Sequence, residues 1–433
     1  MYSIHTFLLQ KELFRSSEPV KTSVVSSFTD TPALQQIARQ ADSDYILFYT
    51  GTSPIELHPY AIGRMYQIAE SNDGALFYSD YQEIRQGKKI HHPTLEYQTG
   101  SIRNDFDFGQ LLLFRNDSFQ QVVAQMNTDY RFAALYELRL SISRLGKIVH
   151  IPETLYTVQP TDLRLSGEKQ FDYVDPANRE VQLEMEAVCT AHLQAIGAWL
   201  APEFQRIDFG QENFAREASV IIPVRNRKRT IAEAVESALQ QQTDFSFNVI
   251  VVDNHSTDGT GQILTELSRR YPNLIHHIPA STELGIGGCW TEAILLPECG
   301  KFAIQLDSDD LYKDCHVLQR IVDTFYQENC AMVIGSYQMV DFKLEEIPPG
   351  LIAHREWTPD NGRNNALRIN GLGAPRAFYT PVLRQIKFPN VSYGEDYATA
   401  LAISRKYLIA RIYDPLYLLS LIHISEPTRL QLI

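Results

Sequence analysis

The chain has 433 residues, enough for roughly two or three domains with large buried cores. Its 44% hydrophobic and 21% charged residues exclude a wholly disordered chain. A net charge of −13 and a pI near 5.4 exclude nucleic acid as a main partner, since phosphate binding needs a basic surface; an anionic ligand must be held by local donors or a metal.

The opening MYSIHTFLLQKELF breaks its apolar stretch at Gln10, Lys11 and Glu12, so no signal peptide is expected. No apolar run reaches about 18 residues, so no membrane-spanning helix is expected and any membrane contact is peripheral. The five cysteines (Cys189, Cys289, Cys299, Cys315, Cys330) are odd in number, widely spaced and without a CxxC pair. That argues against a disulfide framework and a zinc site and fits the cytoplasm, at most at the inner membrane face.

Residues 1–165 read as one α/β domain. Residues 166–215 read as a linker containing a long helix: Asp175 caps it, Pro176 suits its first position, and Val181, Met185, Val188, Cys189, Leu193, Ile196 and Leu200 recur at helical spacing. Flanked by polar stretches, this helix is expected to join two domains and to belong to neither core. From Ala218 strands and helices alternate. ASVIIPV, FNVIVVD and KFAIQLD are near-continuous apolar runs, as strands buried on both faces should be. Thr230 and Glu233 have the spacing of a capping box before IAEAVESALQQ. The alternation predicts a doubly wound parallel sheet over 216–418, with ligands at the carboxyl ends of its strands. The closing LSLIHISEPTRLQLI, 419–433, reads as a translated sequencing adapter and is set apart as non-native.

The chain also resembles itself. Lys301–Gln338 align with Asp44–Gln82, with one extra residue near Asp80, and LAISRKYLIARIYDPLYLL aligns with LSISRLGKIVHIPETLYTV. Apolar positions coincide, but Asp307, Asp309 and Asp310 face Thr50, Thr52 and Ser53, while Glu395 and Asp396 face Ala134 and Leu135. This reads as a duplicated fold whose first copy lost its carboxylates and most of a nucleotide-binding half.

Two strands end in polar clusters. Asp307-Ser308-Asp309-Asp310 places carboxylates where they can share a hard divalent cation, or cap a helix. Asp253-Asn254-His255-Ser256-Thr257-Asp258-Gly259 offers an acid to a base edge, within what is in part a capped turn. Arg225, Arg227, Lys228 and Arg229 precede a helix start and suit either a diphosphate or solvent. Glu395-Asp396 opens a helical pattern and could take a proton from a hydroxyl. In RINGLGAPRAFYTP (Arg368–Pro381), Arg376 could hold an anionic group or simply order a loop.

Together SVIIPVRNR, VIVVDNHSTDGT, LDSDD and GED, in order from Ser219 to Asp396, resemble the GT-A glycosyltransferases of family 2, the inverting nucleotide-sugar enzymes. The resemblance implies an α/β chain with a GT-A catalytic domain behind a second, degenerate GT-A-like domain. It implies that Pro223, Arg225, Asp253 and Asp307 serve the nucleotide, with Asp253 reading the base. It further implies that Asp309 and Asp310 hold Mn²⁺ or Mg²⁺, that Asp396 is the general base beside Glu395, and that Arg376 lies among acceptor contacts. The implied partners are a nucleotide-sugar donor, most readily a UDP-sugar, and a glycan or lipid-linked acceptor. In two places the chain departs from the pattern. Cys289, Trp290 and Thr291 stand where the family has Ala-Arg-Asn, and Asn254 replaces the second Asp of VVDD. The competing expectation is a non-catalytic sugar- or partner-binding scaffold.

Overall fold

The computed structural model describes residues 2–85, 87–159, 178–210, 212–355 and 357–420. They fall into two units: residues up to Trp199 together with Leu367–Ile369, and Leu200–Ala366 with the chain from Asn370 onward.

The first unit runs β1 (Ile4–Leu8), β2 (Phe14–Arg15), β3 (Lys21–Val24), α1 (Thr31–Gln40), β4 (Tyr45–Tyr49), β5 (Ile55–Leu57), α2 (Ala61–Ser71), β6 (Gly74–Arg85), β7 (Lys88–His92), β8 (Leu111–Arg115), α3 (Asn116–Gln125), α4 (Ala134–Leu145), β9 (Lys147–Val158) and α5 (Arg179–Ala195). Its sheet order is β2-β5-β9-β6-β8-β4-β1-β3, with β7 on β6. Side chains alternate across the sheet, so β4 sends Ile46 and Phe48 into one core and Tyr45, Leu47 and Tyr49 into the other.

Helix α5 belongs to this unit, against the expectation that it joins neither core. Val188, Cys189 and Leu193 pack on Tyr136 and Leu140 of α4. Glu184 also accepts the backbone N–H groups of Phe132 and Ala133 at 2.8 and 3.1 Å, placing a carboxylate at the positive end of α4. Helical spacing finds the buried Val188, Cys189 and Leu193 but overruns the helix, since Ile196 and Leu200 lie beyond Ala195 and are exposed, and it does not say which core receives the stripe. The expected cap and first turn, Asp175 and Pro176, lie outside the described residues, as does the expected non-native tail beyond Ser420. Leu419 and Ser420 themselves pair with Met339 and Val340.

The second unit runs β10 (Ala218–Val224), α6 (Ile231–Leu239), β11 (Phe247–Asp253), α7 (Thr260–Arg270), β12 (Leu274–His277), α8 (Ile286–Leu295), β13 (Phe302–Gln305), β14 (Leu311–Tyr312), α9 (Val317–Glu328), β15 (Met332–Val340), β16 (Glu346–Ile352), α10 (Gly362–Asn365), β17 (Arg376–Tyr379), α11 (Thr380–Ile386), α12 (Glu395–Ser404) and β18 (Ile409–Ser420). Its sheet order is β12-β11-β10-β13-β17-β15-β18-β14, with β16 on β15. Only β12, β11, β10 and β13 form the expected parallel block; β17 runs antiparallel between β13 and β15. Apolar runs mark strands but not their direction, so the mixed sheet was not legible. Pro223 pairs with Val252 and lies beyond the last β10–β13 pair, Ile221 with Gln305, so its missing N–H takes nothing from that ladder.

The two sheets share an order of pairings. β1–β4, β4–β8, β8–β6, β6–β9, β9–β5 and β6–β7 run parallel, antiparallel, antiparallel, parallel, antiparallel and antiparallel. So do β10–β13, β13–β17, β17–β15, β15–β18, β18–β14 and β15–β16. Between β10 and β11 the second unit inserts α6. Between β1 and β3 the first has only a short 3₁₀ turn, Lys11–Leu13, and β2.

Candidate active site

The parallel strands β10, β11 and β13 deliver three loops to one end of the sheet. The first two are laced together: the N–H of Asn226 donates to Ser256 Oγ (2.9 Å) and that of Thr257 to Asn226 Oδ1 (2.8 Å). The N–H groups of Arg227 and Lys228 reach Thr260 Oγ1 (2.9 Å) and Asp258 Oδ2 (3.0 Å). Asn226 and His255 adopt left-handed φ of 56° and 57°, which asparagine in particular tolerates. The expected capping box at Thr230 does not form. Its hydroxyl donates instead to the Ser308 carbonyl at 2.9 Å, tying the start of α6 to the acidic loop.

Asp253, 2% exposed, ends β11. Its Oδ1 accepts the Ser256 N–H (2.9 Å) and its Oδ2 faces His276 Nε2 (3.3 Å). Burial raises its pKa, but the hydrogen bonds from His276 and Ser256 outweigh burial and hold the carboxyl below its ordinary value. A base edge reaching Asp253 must therefore share or displace these partners. Asn254 donates from Nδ2 to the Leu284 carbonyl (2.7 Å), while its buried Oδ1 has no hydrogen-bond partner among the described residues.

After β13 the chain turns sharply, the Asp310 N–H donating to the Asp307 carbonyl at 3.2 Å. The Asp307 N–H donates to the Tyr417 hydroxyl (2.8 Å), and Gln305 Nε2 donates to both Asp307 carboxylate oxygens (3.0 and 3.2 Å). Burial, with the neighbouring charge of Asp309, pushes Asp307 above the usual carboxylate range against the pull of Gln305. Asp309, its side chain buried, lies 3.5 Å from Arg227 Nε. Asp310 is buried and lines, with Asp309, Thr230, Glu233 and Phe342, a small cleft beside the turn. Clustered carboxylates of this kind suit a hard cation. Among the described residues, however, no group of three or more side chains could hold a metal alone. The donor set therefore fits Mn²⁺ or Mg²⁺ only as a site shared with ligand phosphates.

The acidic pair opens α12. Gly394, at φ 79°, turns the chain into it, and the glycines at the start of α8 let the preceding strand of chain press close. A Cβ on Gly287 would lie 2.0 Å from the Pro389 carbonyl oxygen and 3.0 Å from Glu395 Cβ. The GIGG pattern thus serves packing. Trp290, where the family's arginine would stand, is core: it packs in one cluster with Phe378 and Phe388 and offers no cation. Arg376 lies on β17. Its Nη2 lies 2.5 Å from Asp396 Oδ2, its Nη1 donates to Gln305 Oε1 (3.1 Å) and its Nε to the Leu372 carbonyl (2.6 Å). Asp396 is about a third open to solvent, its side chain being 30% exposed.

Glu395 is buried, its Oε2 without a hydrogen-bond partner among the described residues, and burial pushes its pKa up. The folded state then keeps a proton that the unfolded chain releases near the ordinary value, so stability falls as pH rises from there through the raised one. Glu395→Gln cannot pay this penalty. Its melting temperature should match that of the parent near pH 4 and exceed it increasingly toward pH 7; a constant difference would refute the assignment.

The structure thus brings Asp307, Asp309 and Asp310 together on one loop and joins Arg376 to Asp396. It sets Asp253 and Pro223 at the neighbouring strand ends and leaves Arg225 exposed. Sequence reading passed over Gln305, Tyr417 and His276. Of these only Gln305 carried a signal, a polar residue in the apolar run KFAIQLD.

A family model, Glycosyl transferase family 2, matches residues 219–386, which include Asp253, the acidic loop and Arg376 and stop short of Glu395. The likeness to glycosyl transferase family 2 thus lies in the second unit. An uncharacterized glycosyltransferase of Nostoc sp. is 32% identical over 28% of this chain and 37% of its own length. The poly(ribitol-phosphate) beta-glucosyltransferase of Bacillus spizizenii is 25% identical over 46% of this chain and 32% of its own. The chain thus spans about a third of the length of these relatives. A crystal structure of S. aureus TarS 1–349 in complex with UDP-GlcNAc is similar at 25% identity, covering 47% of this chain and 58% of that one, with a TM-score of 0.39. Among the described residues no helix is long and apolar enough to cross a membrane.

Proposed function

We propose that the second unit is an inverting glycosyltransferase that moves a sugar from a nucleoside diphosphate, a UDP-sugar, to a hydroxyl of a glycan or lipid-linked acceptor in the cytoplasm. The observation that carries this reading is the Arg376–Asp396 pair beside the Asp307–Asp310 loop: a held, partly open carboxylate next to clustered acids at the strand ends. Asp253 and Asn254 face the base, and Arg225 and Arg227 face the diphosphate. Mn²⁺ or Mg²⁺, held by Asp309 and Asp310, would offset the negative charge of the departing diphosphate. Asp396 accepts the proton of the acceptor hydroxyl. The oxygen attacks the anomeric carbon on the face opposite the diphosphate, whose bonding electron pair leaves with it, so configuration inverts without a covalent enzyme intermediate. Glu395 orients the acceptor. The relative named for poly(ribitol-phosphate) supports a hydroxyl-rich polymer as the acceptor class.

The test is transfer and hydrolysis across a panel of nucleotide sugars with and without EDTA, with the product anomer read by NMR. Metal-independent turnover would remove Asp309 and Asp310 from the assignment, and retained configuration would remove the single displacement.

In the first unit, a duplicated copy on this reading, Thr50, Thr52, Ser53, Ala134 and Leu135 offer no carboxylate. Calorimetry on the full chain with UDP and Mn²⁺ should therefore give one site per chain; a second site would contradict this.

A further inference from the structure

We propose that Gln305 is a positioning residue that joins the donor-side acid Asp307 to Arg376 and thereby fixes the acceptor-side carboxylate Asp396. The inference rests on the glycosyltransferase reading above.

The argument starts from one buried amide. Gln305, 6% exposed, ends β13 where its neighbours are apolar. Its Oε1 accepts the Arg376 backbone N–H (3.2 Å) and Arg376 Nη1 (3.1 Å). Its Nε2 donates to both Asp307 oxygens (3.0 and 3.2 Å). The orientation of the amide follows from its partners: turned over, it would set NH₂ against two donors and oxygen against a carboxylate. The guanidinium is equally constrained, with Nε on the Leu372 carbonyl, Nη1 on Gln305 and Nη2 on Asp396. A planar fork anchored on three sides has no freedom to swing, so the direction of Nη2, and with it Asp396, follows from Gln305.

The first unit shows that the fold itself does not call for this pair. By the sequence alignment Gln305 corresponds to Phe48. Ile304 pairs with Ala377 as Leu47 pairs with Leu113, so Arg376 corresponds to Leu112. Phe48 and Leu112 are both buried in an apolar core. Where the acids are absent, the same two strand positions are filled by hydrocarbon. Where Asp307 and Asp396 are present, they carry an amide and a guanidinium linking the two. A buried polar pair retained only for stability would be expected in both sheets.

The test uses the full chain, with UDP and Mn²⁺ as the binding probe and UDP release from the donor selected by the panel as the turnover readout. Gln305→Leu should lower turnover about 10- to 100-fold, the usual range for removing a group that orients a reactive one, and raise acceptor KM. Gln305→Glu keeps the oxygen that Arg376 needs but sets a like charge against Asp307. It should weaken UDP·Mn²⁺ affinity about tenfold or more while retaining most turnover at saturating donor. This split between the two variants is not what a merely structural glutamine gives. The double variant Gln305→Phe, Arg376→Leu copies the first unit's apolar pairing. It should melt near the parent temperature and lose turnover as fully as Asp396→Asn.

Unchanged turnover and acceptor KM in Gln305→Leu would overturn the proposal. So would a double variant that turns over normally, or variants that change only the melting temperature. If Asp396→Asn abolishes turnover while Gln305→Leu does not, the linkage fails and the glycosyltransferase reading stands. If Asp396→Asn is fully active, the base lies elsewhere and the linkage fails while the glycosyltransferase reading stands; if the parent binds no UDP with Mn²⁺, the reading itself fails and the linkage with it.

Discussion

Asp396→Asn is expected to cut turnover by about 10²–10⁴-fold, the range general-base catalysis contributes, while leaving UDP affinity nearly unchanged. The substitution preserves shape. Asn Oδ1 can still accept from Arg376 Nη2, and the close Arg376–Asp396 contact does not require a full negative charge to persist. The Tyr397 N–H, 2.6 Å from Asp396 Oδ1, then faces the amide NH₂ and loses its side-chain acceptor, a local cost at the start of α12. An amide, however, has no basic oxygen to take the hydroxyl proton. Binding should be largely spared because Asp396 is not on the acidic loop and is hydrogen-bonded to it through Arg376 and Gln305. Initial rates at saturating donor, with calorimetry on the same samples, decide the matter. Full turnover would relocate the base, and buried Glu395, with its raised pKa, would be the next residue to test.

The acids were legible because each follows an apolar run or precedes a helical stripe, and strand ends of such sheets are where ligands sit. The alignment of Lys301–Gln338 with Asp44–Gln82 was readable from apolar spacing, which survives when polar residues change. What the sequence did not carry was partnership. Arg376 read equally well as an anion holder or a loop residue, and its pairing with Asp396 depends on β17 running antiparallel to β13, a direction that no local pattern encodes. Thr230 and Glu233 had the spacing of a capping box, yet the Thr230 hydroxyl found a better partner across the sheet at Ser308. Helix α5 had a clear stripe, but only three-dimensional proximity shows it covering Tyr136 and Leu140. Cys289-Trp290-Thr291 read as a departure from a family element; the close approach of residues 389–391 to the glycines just before it is a distance and leaves no periodic trace.

Asp309→Asn should separate the metal from the nucleotide. In the parent, Asp307, Asp309 and Asp310 concentrate negative charge where a diphosphate would bind, and Arg227 stands 3.5 Å from Asp309. Without a divalent cation these acids repel the ligand, so the parent should bind UDP poorly in EDTA and far better in Mn²⁺. Replacing Asp309 by the amide removes one carboxylate ligand, and affinity in Mn²⁺ should fall by about 10- to 100-fold, at least what the loss of a group supporting a metal ligand costs. In EDTA the same change removes repulsion and frees Arg227 for the phosphates, so affinity there should hold or rise slightly. The two effects have opposite signs, and the expected result is a collapse of the Mn²⁺-to-EDTA affinity ratio rather than uniform weakening. A misfolded loop would weaken binding in both buffers, and a variant that kept the full Mn²⁺ enhancement would show that the cation is held elsewhere.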